Sequence, residues 1–442
     1  MVLITIAVFL LNREKIEKRL LKNISFKISN LLQTSVQISD FDFKYNGDLL
    51  INNFNIFDHK NDTLIYVDKI TTSIFNPTNI LTSNTKLSSL DLSNGVIKII
   101  KHPGDSLTNF EVFINKVKLD NETGIKDFSL ELKNLILNDF RIDLLNKSTL
   151  SNQLNDFNLT VYDLKYLKSQ ISLSIENASY TDLYGLRLDN FYSTITYTES
   201  GFNMSDFIIN SANSKLKGSL SISDINKKGF ADSNIKLNIL DSKISTNETN
   251  LYNNSLISDE SIEFTTFLNG SFNNTLNGRL DFQYGKNTKA KINFSIEDIF
   301  GKIKVNTVLE EFYTNYNDLK TLPVLKNYQI PDFLISTEFI SINGVCDYKN
   351  GLISNKYVVD TDFGELTLDI NLINFLQKPK ESKFYGTVRF NEFLFKDLKL
   401  FSSTIRTSAN FILDGSISPG QPLKTSISGL VSDLSIGRSV FN

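Results

Sequence analysis

The sequence predicts an all-β protein built around one long meandering sheet, and three observations carry the prediction. From Val36 onward apolar residues recur at every second position, clusters of Asn, Gly, Asp and Ser separate the alternating segments, and helical patterns are sparse after the first 35 residues. The composition agrees. Thirty-four Phe and 16 Tyr stand beside many Ile, Leu, Thr and Ser, with no Trp and little Ala, a mixture suited to pleated, half-buried surfaces.

Several function classes are disfavoured at once. The 442 residues carry 46 basic and 49 acidic side chains without a local basic patch, so nucleic acid is not an expected partner. The one cysteine, Cys346, can form no internal disulfide and has no sequence neighbour that ligates metal. His59 and His102 lie in separate polar segments, and on that ground neither a histidine triad nor a multi-histidine metal site is expected. Paired carboxylates for glycan chemistry are sought at Glu310-Glu311 and Asp360-x-Asp362, but adjacent acids on a strand point to opposite faces and an Asp-x-Asp pair is commonplace. Asp40-Phe41-Asp42 reads as an amphipathic strand rather than a calcium loop. No enzyme activity, catalytic residue, metal or cofactor is therefore expected.

Taken in order, residues 1–11 form an uncharged apolar run that includes Leu3, Ile4, Ile6, Val8, Phe9 and Leu10. It is shorter than the roughly 20 residues a membrane span needs, so it is read as the tail of an anchor that begins upstream. Residues 12–35 form an amphipathic helix, with Ile16, Leu20, Ile24, Ile28 and Leu31 or Leu32 at steps of three and four. Its stripe suits either a membrane interface or the end of a sheet. Residues 36–118 begin the β region and 119–316 continue it. A linker with a possible short helix occupies 317–335, and 336–442 return to strands.

Within these stretches, Leu216, Leu220 and Ile222 alternate with Lys and Ser, and Leu366, Leu368, Ile370 and Leu372 alternate with Thr, Asp and Asn. Part of Asn152 to Lys168 is a second helical candidate, and the apolar triplets Leu135-Ile136-Leu137 and Phe393-Leu394-Phe395 predict bulges. One-faced strands must hide their apolar sides, and there are too few helices to cover them. Packed sandwiches, a closed solenoid or barrel, and an open curved sheet whose apolar face is covered by something other than this protein all satisfy that need. No short rung repeat aligns and the turn spacing is irregular, which favours the open sheet.

The order of elements is more specific than the composition. An apolar run and amphipathic helix end at Leu31-Leu32-Gln33-Thr34-Ser35-Val36, followed by Phe41, Phe43, Leu49-Leu50-Ile51, Asn55-Ile56-Phe57-Asp58, Asp62-Thr63-Leu64-Ile65-Tyr66-Val67, Gly95 and Thr108-Asn109-Phe110-Glu111. Later come Ser214-Lys215-Leu216-Lys217-Gly218-Ser219-Leu220 and Gly344-Val345-Cys346-Asp347-Tyr348, then Thr361-Asp362-Phe363-Gly364-Glu365-Leu366. This succession resembles the TamB/AsmA-like envelope proteins in their Bacteroidota form, and it ends before that family's C-terminal domain.

The resemblance implies an elongated, twisted sheet curled into a groove, anchored as a single pass in the inner membrane with its bulk in the periplasm. It implies phospholipid transfer to the outer membrane, support of outer-membrane protein assembly and secretion, or both, with an outer-membrane β-barrel protein as partner through the missing domain. Phospholipid acyl chains would then lie on Leu216, Leu220, Ile222, Leu366, Leu368, Ile370 and Leu372. The competing expectation is a surface-exposed β-rich structural or adhesin protein that carries no lipid.

Overall fold

The computed structural model describes residues 21–441, apart from short stretches of which the longest are 74–83, 253–259, 322–336 and 396–403. The proposed anchor at 1–11 and the helix positions Ile16, Leu20, Ile24 and Leu31 lie outside the described residues, as does most of the linker at 317–335. Among the described residues no helix is long and apolar enough to cross a membrane.

The chain divides into two compact units, Met1–Ala212 and Asn213–Asn442. The first holds β1 (Val36–Phe43), β2 (Asp48–Phe57), β3 (Thr63–Ser73), β4 (Asn84–Lys101), α1 (Asn109–Thr123), β5 (Ser129–Asn146), β6 (Thr149–Leu167), β7 (Gln170–Asp182), β8 (Arg187–Thr198) and β9 (Gly201–Ser211). Each strand pairs with the next, antiparallel throughout except for β4 and β5, which run parallel across the α1 crossover.

The second unit holds β10 (Lys215–Ser223), β11 (Asn234–Ser245), α2 (Thr246–Asn250), β12 (Ser261–Gly270), β13 (Thr275–Tyr284), β14 (Thr288–Glu297), β15 (Lys304–Thr314) and α3 (Tyr316–Leu319). It continues with β16 (Ile340–Lys349), β17 (Leu352–Thr361), β18 (Gly364–Ile373), β19 (Ser382–Phe395), β20 (Ile405–Ile417), β21 (Lys424–Ile436) and β22 (Ser439–Phe441). These strands form one antiparallel meander.

Two expectations need correction. The sheet is open and uncurled rather than rolled into a groove, and among the described residues no ladder joins its first strand to its last. The helical candidate at Asn152–Lys168 is β6, whose Thr, Tyr and Val residues suit a strand.

The first unit has a conventional core. Leu64, Val67 and Phe140 are almost fully buried in a cluster on β1–β5, and Leu21, Ile28 and Leu32 of the N-terminal helical segment pack onto it with Phe110 and Phe113 of α1. The described part of the amphipathic stripe therefore caps the sheet. Ser29 Oγ accepts the Val36 N–H at 3.0 Å, and the Thr34 hydroxyl donates to the Phe57 carbonyl at 2.5 Å, which fixes the helix end against β2.

The bulges appear close to the predicted triplets, between Leu137 and Phe140 and between Phe390 and Phe393. At such shifts an acid adopts the left-handed backbone, as at Asp139 (φ 60°), Asp241 (φ 41°) and Glu392 (φ 48°).

One acid in this unit is badly placed. Asp91 on β4 has a buried Oδ1 with no hydrogen-bond partner, and burial, with the nearby Asp48 charge, pushes its carboxyl above the usual range. An acid whose pKa is raised on folding costs stability while ionised, and the cost fades as pH falls through the folded value toward the ordinary carboxylate range. Asp91→Asn is thus expected to raise stability at neutral pH, by a few tenths to about 1 kcal/mol given its partial exposure. The gain should shrink in acid, as read by denaturant midpoints at pH 7 and pH 3.5.

Candidate functional site

The site is one face of the second unit, and strand register builds it. In a pleated ladder, directly paired residues share a face, so pairings can be followed from strand to strand. The row through Leu368 joins Ile239, Leu280, Ile292, Leu309, Tyr357, Leu368, Val388 and Phe411, with Gly218, Thr266, Gly344 and Gly429 at the remaining strands. The row through Leu220 and Ile370 joins Leu237, Leu268, Phe294 and Leu413. Another runs from Ile222 through Ile235, Leu276, Ile296, Val305, Tyr348 and Ile353 to Leu372 and Phe384. A fourth passes through Phe264, Phe282, Phe312, Ile342, Val359, Leu366 and Phe390.

The seven residues singled out from the sequence therefore share one face. Leu216 belongs to it because the bulge between β10 and β11 falls on the β11 side, at Leu240–Asp241, leaving β10 regular. The sequence reading missed how far this face extends. It spans the twelve strands β10–β21, or roughly 50 Å at about 4.8 Å per strand.

Aromatic rings close the gaps left by glycine. A Cβ on Gly278 would lie 2.2 Å from the Phe294 ring, and one on Gly415 would lie 2.6 Å from the Phe384 ring, so each ring rests on a bare backbone. Cys346, on the same face, contacts the Tyr357 hydroxyl; burial pushes its thiol pKa up and carries the Tyr357 hydroxyl to about 12, so both are neutral.

No second layer covers this face among the described residues. Strands of the unit contact their ladder neighbours, and the described helices meet the sheet at strand ends, α2 at β11 and α3 at β14, where Asp318 Oδ2 accepts the Thr288 N–H at 3.0 Å. From β10 to β20 these apolar side chains are nevertheless half-buried or buried, because large neighbours at strand spacing shield one another. At the β21 edge, where one neighbour is lost, Ile427 and Val431 are exposed.

The opposite face is mostly charged and polar, with Phe267, Val308 and Ile412 exposed among the charges. Lys243–Glu263, Lys289–Glu311, Lys291–Glu311, Arg279–Asp281 and Lys356–Asp369 pair across it. Glu310 and Glu311, expected on opposite faces, straddle the β15 bulge and both meet cations on this side: Glu310 meets Arg279 at 3.8 Å, and Glu311 meets Lys289 at 2.5 Å, whose hydrogen bond holds the Glu311 carboxyl below its usual range. These acids are pinned by lysine and arginine rather than poised as an acid–base pair.

The two histidines, separated in the sequence reading, lie together in the first unit, with ring centroids 5.5 Å apart. The β2–β3 turn and the segment after β4 bring His59, His102, Asp58, Asp62 and Asp105 to one end of the sheet. Forty-odd residues separate the two segments in the chain, and no local spacing signals their meeting. No family model matches the chain, and no curated protein or solved structure matches it.

Proposed function

We propose that the second unit is a non-enzymatic lipid-carrying surface of envelope biogenesis, passing phospholipid acyl chains along its apolar face. The observation that carries this reading is a face of Leu, Ile, Val and Phe crossing twelve strands with no described layer over it. Exposing two acyl chains of roughly 15 methylenes each to water costs on the order of 20–25 kcal/mol. A lipid therefore crosses an aqueous space only beside a continuous apolar surface. Aliphatic and Phe side chains hold acyl chains without directional preference, so the surface permits sliding, and the ion-paired opposite face keeps the sheet wetted.

The TamB/AsmA-like resemblance adds the setting: an inner-membrane anchor, a periplasmic body and transfer toward the outer membrane. Native mass spectrometry with lipid extraction, on the full chain purified gently from a Gram-negative host, tests the proposal. Co-purified phospholipid in stoichiometric amount is expected. A lipid-free, monodisperse protein would overturn the reading in favour of a structural or adhesive β-protein.

A further inference from the structure

The cluster at the end of the first unit has an arrangement that its sequence separation conceals. Asp58 is buried and all its hydrogen-bonding capacity is used. Its Oδ1 accepts the N–H groups of Lys60 (2.8 Å) and Asp62 (2.9 Å), and its Oδ2 accepts from His102 Nε2 (2.8 Å) and Asn109 Nδ2 (3.0 Å). Asn109, itself fully buried, is locked by its own bonds to the Ile100 N–H and the Lys98 carbonyl.

A carboxylate only accepts, so His102 carries its proton on Nε2. In the neutral ring Nδ1 is then a lone pair, and it faces Asp62 Oδ2 at 3.9 Å. That distance is too long for a hydrogen bond, and it leaves two lone-pair atoms facing one another across a gap that a bound cation can bridge. His59 repeats the pattern beside it: its Nε2 lies 2.8 Å from Asp105 Oδ2, and its Nδ1 is buried with no hydrogen-bond partner. Side-chain oxygen and nitrogen atoms of Asp58, Asp62 and His102 that could meet a metal ion lie within 4.8 Å of one another.

We propose that this cluster is a binding site for a divalent cation of the zinc class, with His102 Nδ1 and the Asp62 carboxylate as ligands and water completing the coordination. Imidazole with carboxylate selects a first-row transition ion over calcium or magnesium, which prefer all-oxygen shells. Bonds of about 2.0–2.2 Å to each ligand span the observed gap at an angle wider than tetrahedral, and the exposed Asp62 side chain is free to close it. Asp58 does not ligate; it holds the His102 tautomer and ring orientation, as the carboxylate behind a zinc-bound histidine does. The bound ion would tie the β2–β3 turn to the segment leading into α1.

The test uses the full chain, freed of metal with EDTA and titrated with Zn²⁺ by calorimetry and with Co²⁺ by visible absorption. One saturable site per chain is expected, with cobalt bands of a nitrogen–oxygen shell and a rise in melting temperature on zinc addition. Asp62→Asn should leave the metal-free melting temperature unchanged and abolish the zinc-induced rise, because the Asp62 carboxylate is exposed and its backbone N–H bond to Asp58 survives. Asp58→Asn should weaken zinc binding by roughly 10–100-fold. No saturable uptake, or uptake unaltered by Asp62→Asn, would overturn the site and leave a proton as the only cation between the two acceptors.

Discussion

Replacing Phe140 with Ala is expected to destabilise the first unit by about 3–5 kcal/mol, the range for emptying a buried aromatic site. The side chain is 1% exposed and sits at the centre of the cluster that joins β1–β5 to the helical segments. Its neighbourhood cannot easily collapse, because the ring lies on Gly95: a Cβ there would meet Phe140 Cε1 at 2.1 Å. Ring and glycine are complementary. Gly95→Ala alone must displace the ring and should cost about 1–3 kcal/mol, whereas in the Phe140→Ala background the added methyl enters the space the ring left. Denaturation curves for the four chains, followed by far-UV circular dichroism because the sequence has no Trp, should give a strongly non-additive cycle. Additive costs would mean that the ring does not rest on Gly95.

The same pairing explains which parts of the fold were legible. Alternation in β18 assigned Leu366, Leu368, Ile370 and Leu372 to one face because the side-chain period of a strand is two and no bulge interrupts that strand. The bulges beside Leu137 and Phe393 were announced by apolar triplets, whereas the one at Leu240–Asp241 escaped, because Asp241 looks like an ordinary polar-face residue until register is known. The crossover helix α1 did carry a local signature. Thr108 Oγ1 accepts the Glu111 N–H at 3.2 Å while Glu111 Oε2 accepts the Thr108 N–H at 2.7 Å, a reciprocal cap readable from Thr-x-x-Glu. The histidine–aspartate cluster had no such signature, since it depends on β2, β3 and β4 pairing in register.

Charge placed on the apolar face should remove bound lipid, and the same charge one residue away should not. Leu220→Asp with Leu368→Asp puts a carboxylate into two of the rows. The carboxylate replacing the Leu368 side chain would face Tyr357 and Val388 across its ladder, with no backbone donor free to meet it. An acyl chain lying there would have to desolvate that charge, at a cost of several kcal/mol. A tenfold loss of occupancy needs only about 1.4 kcal/mol, so co-purified phospholipid should fall by far more than tenfold. The control is Ser219→Asp with Thr367→Asp, one position along each strand and on the wet face, where Thr367 pairs with Arg389. That variant should keep its lipid and change stability by no more than about 0.5 kcal/mol. Circular dichroism and hydrogen exchange over β10–β20 verify that both variants keep the sheet. If both lose lipid equally, the charge acts on the sheet rather than on a lipid-bearing face. If neither does, the lipid lies elsewhere and the apolar rows need another occupant. Loss from the first variant alone assigns the lipid to the face that Leu220 and Leu368 share.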